Sequence, residues 1–315
     1  MKFGMFSRLP SLPGRGAADF LGRELEALTL AEQQGYDAAW LGEPSPSRYG
    51  IAPAVLHGAA SLSSKTQRIR IGLAVTVLPF FHPLRIAEEL AMLDLMSSGR
   101  LDCGIRPGEL ALGSNLGADL EQGQRVLQEQ LEVVKEAWVG LPFSHQGEFF
   151  DFPTLECFPS PEQEPHPPLF VMPRGREDFD WACEQGYPVL AEALEAKAAL
   201  DRRSARQAVG ASPFALCMPV YVGATQSRAR AEADPALVAA CQRTSGGDSE
   251  PSSELLLDQH SIVGDAAYCR DEVARLREQL DLDCLLAWQD FGNLSQELSL
   301  ASQQRFIEQV APEFR

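Results

Sequence analysis

The chain has 315 residues and is 45% hydrophobic, enough for one large core. An α/β barrel takes a length of this order as a single unit, so one domain over residues 1–315 is expected. Its formal net charge of −17 argues against nucleic acid as a partner, because phosphate binding needs a basic surface. No apolar run approaches the ~20 residues of a membrane span. Met1-Lys2 runs straight into Phe3-Gly4-Met5-Phe6, which reads as a strand and not as a secretory leader. The seven cysteines are odd in number and form no close metal-ligand or redox pair. They read as small buried hydrophobes in a reducing compartment, and a cytoplasmic location is expected, with no metal site.

Lys2 to Ser7 reads as the first strand, followed by a Pro/Gly-rich loop through Gly16. A helix is predicted from Asp19 to Gln34, with Leu21, Leu25, Leu28 and Ala31 on one face and Gly35 as a left-handed cap. The strand Ala38 to Leu41 leads into a loop from Gly42 to Gly50, and Ala52 to Ser61 is predicted helical. Ile69 to Leu78 is the clearest buried strand, dense in β-branched residues. Pro83 marks the start of the next helix, Leu84 to Met96, which stops at Ser97-Ser98-Gly99.

Leu101 to Ile105 is a strand and Asp119 to Trp138 a helix, and the proline-rich stretch from Gly140 to His166 reads as irregular. Pro168 to Met172 resumes the strands, with a helix from Glu177 to Gln185 and a strand at Pro188 to Leu190. A helix at Leu194 to Val209 and a strand at Ala215 to Val222 follow. Thr244 to Ser253 has the composition of a mobile loop. A helix opened by Gly264-Asp265 runs through Leu280, Cys284 to Trp288 is the last strand, and Gln296 to Val310 the last helix. The alternation implies parallel βαβ units and a closed (β/α)₈ TIM barrel, with any site at the C-terminal ends of its strands.

The run Arg70-Ile71-Gly72-Leu73-Ala74-Val75-Thr76-Val77-Leu78-Pro79-Phe80-Phe81-His82-Pro83-Leu84-Arg85 is similar to the strand-loop-helix of the bacterial-luciferase-like flavin-dependent monooxygenases. So are Leu93-Asp94-Leu95-Met96-Ser97-Ser98-Gly99-Arg100-Leu101, the opening Lys2-Phe3-Gly4, Gly35-Tyr36-Asp37 with Trp40, and Asp290-Phe291-Gly292 near the end. The resemblance spans nearly the whole chain. It implies a flavin-using barrel whose members take reduced FMN from a separate reductase and activate dioxygen. A sister branch uses a deazaflavin coenzyme for hydride transfer. The resemblance also implies a strained bulge, in some members with a non-proline cis peptide, under the flavin ring, here at Ala74-Val75.

Two positions depart from the family pattern. Glu43-Pro44-Ser45 stands where many members have Glu-His-His, and Gly104-Ile105-Arg106-Pro107-Gly108 stands for Gly-x-x-Arg-Gly.

His82, just past the third strand, is a candidate for proton chemistry or for fixing the helix start. Glu43 is a candidate acid or base, or a loop-satisfied carboxylate. Arg106 could hold the flavin phosphate or a substrate carboxylate, or form a surface ion pair. Arg174, Gly175 and Arg176 precede a helix, where two guanidiniums and the backbone N–H groups suit a phosphate. Cys103, Cys284 and His57 read as structural. Phe80, Phe81, Phe149 and Phe150 could line an apolar pocket or pack in the core.

No Gly-x-Gly-x-x-Gly follows a strand, so nothing in these residues would recycle a flavin from NAD(P)H. The readings in order are an oxygenase supplied with reduced FMN by a partner reductase, a deazaflavin hydride-transfer enzyme, and a flavin-binding accessory protein. The apolar surplus on helix Leu84 to Met96 (Ile86, Leu90, Met92, Leu93, Met96) implies a homodimer, and the family resemblance the same.

Overall fold

A computed structural model describes residues 1–8, 17–42, 55–77, 81–106, 122–173, 175–193, 213–244, 256–257, 260–291 and 294–315. The first half alternates β1 (Lys2–Ser7), α1 (Ala17–Gln34), β2 (Ala38–Gly42), α2 (Val55–Lys65), β3 (Arg70–Val77), α3 (Pro83–Ser97), β4 (Leu101–Arg106) and α4 (Gly123–Trp138). A hairpin of β5 (Phe143–Gln146) and β6 (Asp151–Leu155) follows, then β7 (Leu169–Val171), α5 (Arg176–Glu184) and β8 (Val189–Glu192). The rest is β9 (Phe214–Val222), α6 (Gln226–Thr244), β10 (Ile262–Gly264), α7 (Ala266–Leu280), β11 (Cys284–Trp288) and α8 (Gln296–Arg305).

Eight parallel strands close a barrel in the order β1, β2, β3, β4, β7, β8, β9, β11, with β11 returning to β1. The short β10 pairs with Val220 to Val222 at the far end of β9. The two-residue period of each strand sorts the core into two layers. Phe6, Trp40, Met172, Leu190, Cys217, Leu286 and Trp288 form the inner cluster. Phe3, Leu41, Ile71, Leu73, Leu101, Val171 and Leu216 pack outward against the helices. Trp40 fits inside because two adjacent strands carry glycine there: a Cβ on Gly72 would land on its indole, and one on Gly104 would meet Leu73 O and the same ring.

The run from Leu93 to Leu101, which carries much of the resemblance, turns out to close the N-terminal end of the barrel. Ser98 (φ 55°) and Gly99 (φ 71°) turn the chain out of α3 in the left-handed region. The Asp94 carboxylate accepts Gln163 N at 2.9 Å, Gln163 Nε2 at 2.8 Å and Leu101 N at 3.4 Å. The Arg100 guanidinium donates to the carbonyls of Ser97, Ile69, Ser63 and Thr66 and to the Thr66 hydroxyl. Arg70 holds Asp102 through two bonds of 2.9 and 2.6 Å. Burial pushes Asp102 up from the ordinary carboxylate range, against the pull of Arg70. Polar residues at this end of a barrel serve stability.

Several elements differ from the sequence expectation. Residues 140–166 are not wholly irregular, because the β5–β6 hairpin is stapled to α4. The Glu129 carboxylate accepts the backbone N–H groups of Glu148, Phe149 and Phe150, which hold it below the usual carboxylate range although burial opposes them. The 19-residue α6 has no counterpart in the periodicity, since it is alanine-rich, lacks a strong apolar stripe and contains Pro235. Thr244 ends that helix and is not the first residue of a loop. Helix α2 begins at Val55 and continues to Lys65, past the predicted end at Ser61. The last helix is regular only to Arg305, and a widened turn spans Phe306–Val310. The expected helix Leu194 to Val209 and the loop residues 245–253 lie outside the described residues. Among the described residues no helix is long and apolar enough to cross a membrane.

Candidate active site

At the C-terminal end of the barrel, strand parity brings a different set of polar residues inward. Arg8 lies two positions past the inward-facing Phe6, and Glu192 two past Leu190. The Arg8 guanidinium forms an ion pair with the Glu192 carboxylate, and its Cζ stands 5.2 Å over the Trp288 ring. Trp288 is completely buried and meets Phe6 and Phe291 edge-on, at 6.2 and 6.1 Å between ring centroids. A guanidinium on an indole face gains from the ring quadrupole, most where water is excluded. A carboxylate as buried as Glu192, at 4% exposure, needs such a partner to remain charged.

Gly42, the last residue of β2, leaves room for this arrangement. A Cβ there would stand 3.2 Å from Arg8 Cγ and 3.3 Å from the Ala74 carbonyl oxygen, so Arg8 and Ala74 converge over it. The ladder between β3 and β4 shifts at this level: Leu73 pairs with Cys103, and Thr76 with Ile105. Ala74 and Val75 therefore oppose Gly104 alone, which is a bulge at the position expected from the sequence. Arg106 ends β4 opposite Val77 and shares the inward parity of Gly104. Ala74, Arg106, Arg8, Glu192 and Trp288 thus share one end of the barrel and its inward side.

Just outside the strand ring, Ser7 Oγ is 2.5 Å from Asp290 Oδ2 and 3.1 Å from Glu24 Oε2. Burial and the charge of Asp290 push Glu24 well above the usual carboxylate range, and burial raises Asp290 as well. Two buried carboxyls on one hydroxyl are compatible when they share a proton.

The remaining candidates fall elsewhere. His82 is the N-terminal cap residue of α3 by its backbone, with no side-chain capping bond. Its ring is exposed and lies against the hairpin, 5.5 Å from Phe152 and 6.4 Å from Phe150. Gly175 caps α5 in an extended conformation, and nothing stands within 4 Å of where its Cβ would be. Arg176 is 73% exposed and pairs with Asp180 at 3.7 Å. Glu177 and Asp178 occupy the same first turn, so the helix end already carries negative charge. Glu43, Arg174 and Phe80, together with the side chain of Val75, lie outside the described residues.

Phe149 meets Arg125 at 5.6 Å and Phe150 packs on the hairpin's Phe152 and on His82, so this pair serves the hairpin. His57 is exposed on α2 and not packed on a helix face as expected. Cys103 and Cys284 are held in the strands, and burial pushes their thiols up, that of Cys284 to about 12. They are inert.

The sequence reading missed Arg8, Glu192 and Trp288. It stopped the first strand at Ser7 and the β8 strand at Leu190, and carrying the two-residue alternation one step further past each end points to Arg8 and Glu192.

A flavin-dependent trigonelline monooxygenase, oxygenase component, from Acinetobacter baylyi is 33% identical over 190 residues, 59% of this chain. The chain spans about half the length of the curated relatives it matches, 52% in that case. The monooxygenase RslO1 from Streptomyces bottropensis superposes over 100% of both chains with a TM-score of 0.87 at 21% identity. The oxygenating constituent of 3,6-diketocamphane monooxygenase from Pseudomonas putida, solved with FMN, reaches 0.81 at 19% identity, over 100% of this chain and 99% of its own. Residues 1–282 match the model of the luciferase-like monooxygenase family, and the chain belongs to that family.

Proposed function

We propose that the chain is the oxygenase of a two-component monooxygenase, binding reduced FMN from a separate reductase and using dioxygen to oxidise a small organic molecule. The observation that carries this reading is the Ala74-Val75 bulge facing Arg8, Glu192 and Trp288 at one end of a closed barrel. A bulge bends its strand and leaves the extra residue out of the ladder. The fixed guanidinium of Arg8, seated on the buried Trp288, offers a cationic surface to a flat, electron-rich ring. When bound, the reduced flavin would supply the two electrons that oxygen activation requires.

The protein's own residues orient the ligand and keep water out. Arg174, Gly175 and Arg176 at the start of α5 would hold the phosphate, since backbone N–H groups and guanidiniums converge on an anion there. The open space above Gly175 leaves the backbone accessible. Glu177 and Asp178 oppose an anion at the same turn, so the arginines must outweigh them. His82 and Glu43 are proposed as proton donors or acceptors from the loops after β3 and β2. Arg106, at the end of β4, adds its guanidinium to that of Arg8 on the inward side of the mouth. A homodimer formed through α3 and a cytoplasmic setting complete the proposal.

Fluorescence titration with FMN and with riboflavin tests the phosphate loop. Arg174→Ala with Arg176→Ala should weaken FMN by roughly tenfold or more, as losing charge-assisted bonds does, and leave riboflavin unchanged. Equal losses for both ligands sink the assignment. Oxygen uptake with reduced FMN, set beside the absorption change with a reduced deazaflavin, separates the oxygenase from the hydride-transfer and accessory readings.

A further inference from the structure

The chain has five histidines, and the structure gives each a setting. His57 is exposed on α2, and His82 lies on the hairpin aromatics. His145 is 3.4 Å from Glu129, and His166 leans on Trp138 at 5.7 Å. His260 alone among them is bonded to the end of a barrel strand: its Nδ1 is 2.8 Å from the carbonyl oxygen of Ala193, the residue after Glu192.

Register places this ring at the C-terminal rim. Trp288 pairs with Pro219 and Ile262 with Val220, so His260, two residues before Ile262, stands near the level of Trp288. The backbone that carries it is fixed. His260 N bonds to Leu256 O at 3.2 Å, and Ser261 Oγ reaches the Leu256 and Leu257 carbonyls at 3.0 and 3.3 Å. Leu256 and Leu257 are buried in the same apolar cluster as Phe6, Trp40 and Trp288. Ala193 is anchored in turn, its N–H donating to Cys217 O at 2.8 Å.

A carbonyl oxygen accepts and never donates, so the proton of the neutral imidazole sits on Nδ1 and the lone pair on Nε2. The ring is only partly buried. Among the described residues, the charged side chains that the strand order brings to Ala193 are Glu192 on β8 and its partner Arg8.

We propose that His260 is a further proton-handling residue of this site, besides His82 and Glu43, its Nε2 taking up and returning a proton at the barrel rim beside Glu192. This rests on reading the mouth as an oxidising site. Taking the proton converts the ring to imidazolium with Nδ1–H still bonded to Ala193 O. Returning it restores the starting tautomer, so no proton is consumed overall. A histidine at this rim would do what the Glu43-Pro44-Ser45 run has no histidine to do.

Long-range ¹H–¹⁵N correlation spectra of the full chain, with peaks assigned through His260→Asn and His166→Asn, test the proposal. His260→Asn keeps an amide donor for Ala193 O. We expect the Nδ1–H tautomer for His260. Adding FMN should shift its ring ¹⁵N signals and leave those of His166 in place. With reduced FMN, oxygen uptake by His260→Asn should fall on the order of 10²-fold or more and lose the parent's near-neutral pH limb, while FMN affinity holds. An Nε2–H tautomer, ring signals indifferent to FMN, or an Asn variant with the parent's pH profile overturns the assignment to His260. A parent that consumes no oxygen at any pH overturns the flavin reading instead.

Discussion

The two ends of the barrel use the same residue types for different ends. At the N-terminal end Arg100 is enclosed by the carbonyls of Ser63, Thr66, Ile69 and Ser97, and Arg70 is locked to Asp102 in a two-point bond. At the C-terminal end Arg8 lies across Gly42 with an indole on one side and a carboxylate to hold. The first arrangement satisfies the guanidinium donors with fixed carbonyls and a carboxylate. The second keeps a guanidinium at the mouth, seated on a buried indole. An arginine in this chain is therefore a structural or a functional signal according to which strand end it sits at.

The comparison is broken most directly at the N-terminal end. Asp102→Ala strips Arg70 of its carboxylate, but the guanidinium is 30% exposed and keeps the Leu101 carbonyl and Gln163 as acceptors, so the loss is about 1–3 kcal/mol. The denaturant midpoint should fall accordingly, with FMN affinity unchanged in whatever fraction remains folded. A variant as stable as the parent would deny this end its structural role. Glu192→Gln should shift the weight to function: the amide oxygen still accepts from Arg8, but the guanidinium, at 14% exposure, loses its counter-charge, so stability falls by about 1–3 kcal/mol. Oxidation of substrate should nevertheless drop by roughly tenfold or more, because the charge that positions Arg8 is gone. A Gln variant that oxidises as the parent does would place the chemistry elsewhere.

The shared proton at Glu24 and Asp290 sharpens the contrast with pH. Both carboxyls are raised in the folded chain, Glu24 by burial and by Asp290, and Asp290 by burial. The native state therefore binds more protons than the unfolded chain between the ordinary carboxylate range and the raised values. Stability contributed by this pair is present below the ordinary range and declines as pH climbs through that window. Glu24→Gln removes one titrating partner, so the variant's melting temperature relative to the parent should improve from pH 4.5 to pH 7.5, by about 1 kcal/mol in stability. A difference that is flat across that range excludes the shared proton.

Much of this fold was legible because alternation and punctuation agree. Ile71 and Leu73 against Gly72 and Ala74 already separate outer from inner faces, and Gly35 at φ 93° ends α1 as its position after a long apolar stripe implies. The bulge at Ala74-Val75 was readable only through the family resemblance, because nothing in the local pattern distinguishes it from a straight strand. Helix α6 escaped because alanine gives little contrast between faces, and Pro235 reads as a breaker. The hairpin escaped because its strands have an exposed face and a half-buried one, without a strong apolar run. At the site, Arg8 and Glu192 are far apart in sequence and meet only across the closed barrel, from β1 and β8, which share no ladder, and no local window contains both. His260 was invisible for a similar reason, since its meaning comes from the Ala193 carbonyl it holds.

The smallest effect on stability belongs to the side of the barrel. Helix α3 buries Ile86, Leu90 and Leu93 against the core, which accounts for one apolar stripe. Met92, Leu95 and Met96 remain 57%, 41% and 48% exposed, so the sequence's surplus of apolar residues is a surface and not a second layer of core. Long flexible thioethers on an exposed helix face suit contact with another protein surface more than with water. Replacing them should touch folding little, since surface substitutions away from caps and buried networks stay within about 0.5 kcal/mol. Met92→Lys with Met96→Lys should thus leave the melting curve of a dilute sample nearly unchanged while setting like charges against each other across a two-fold interface. Sedimentation of the parent at micromolar concentration should give about twice the 34.4 kDa chain mass, and the double variant should sediment as the single chain. A parent that is already monomeric removes the homodimer, and a variant that stays dimeric moves the interface away from α3.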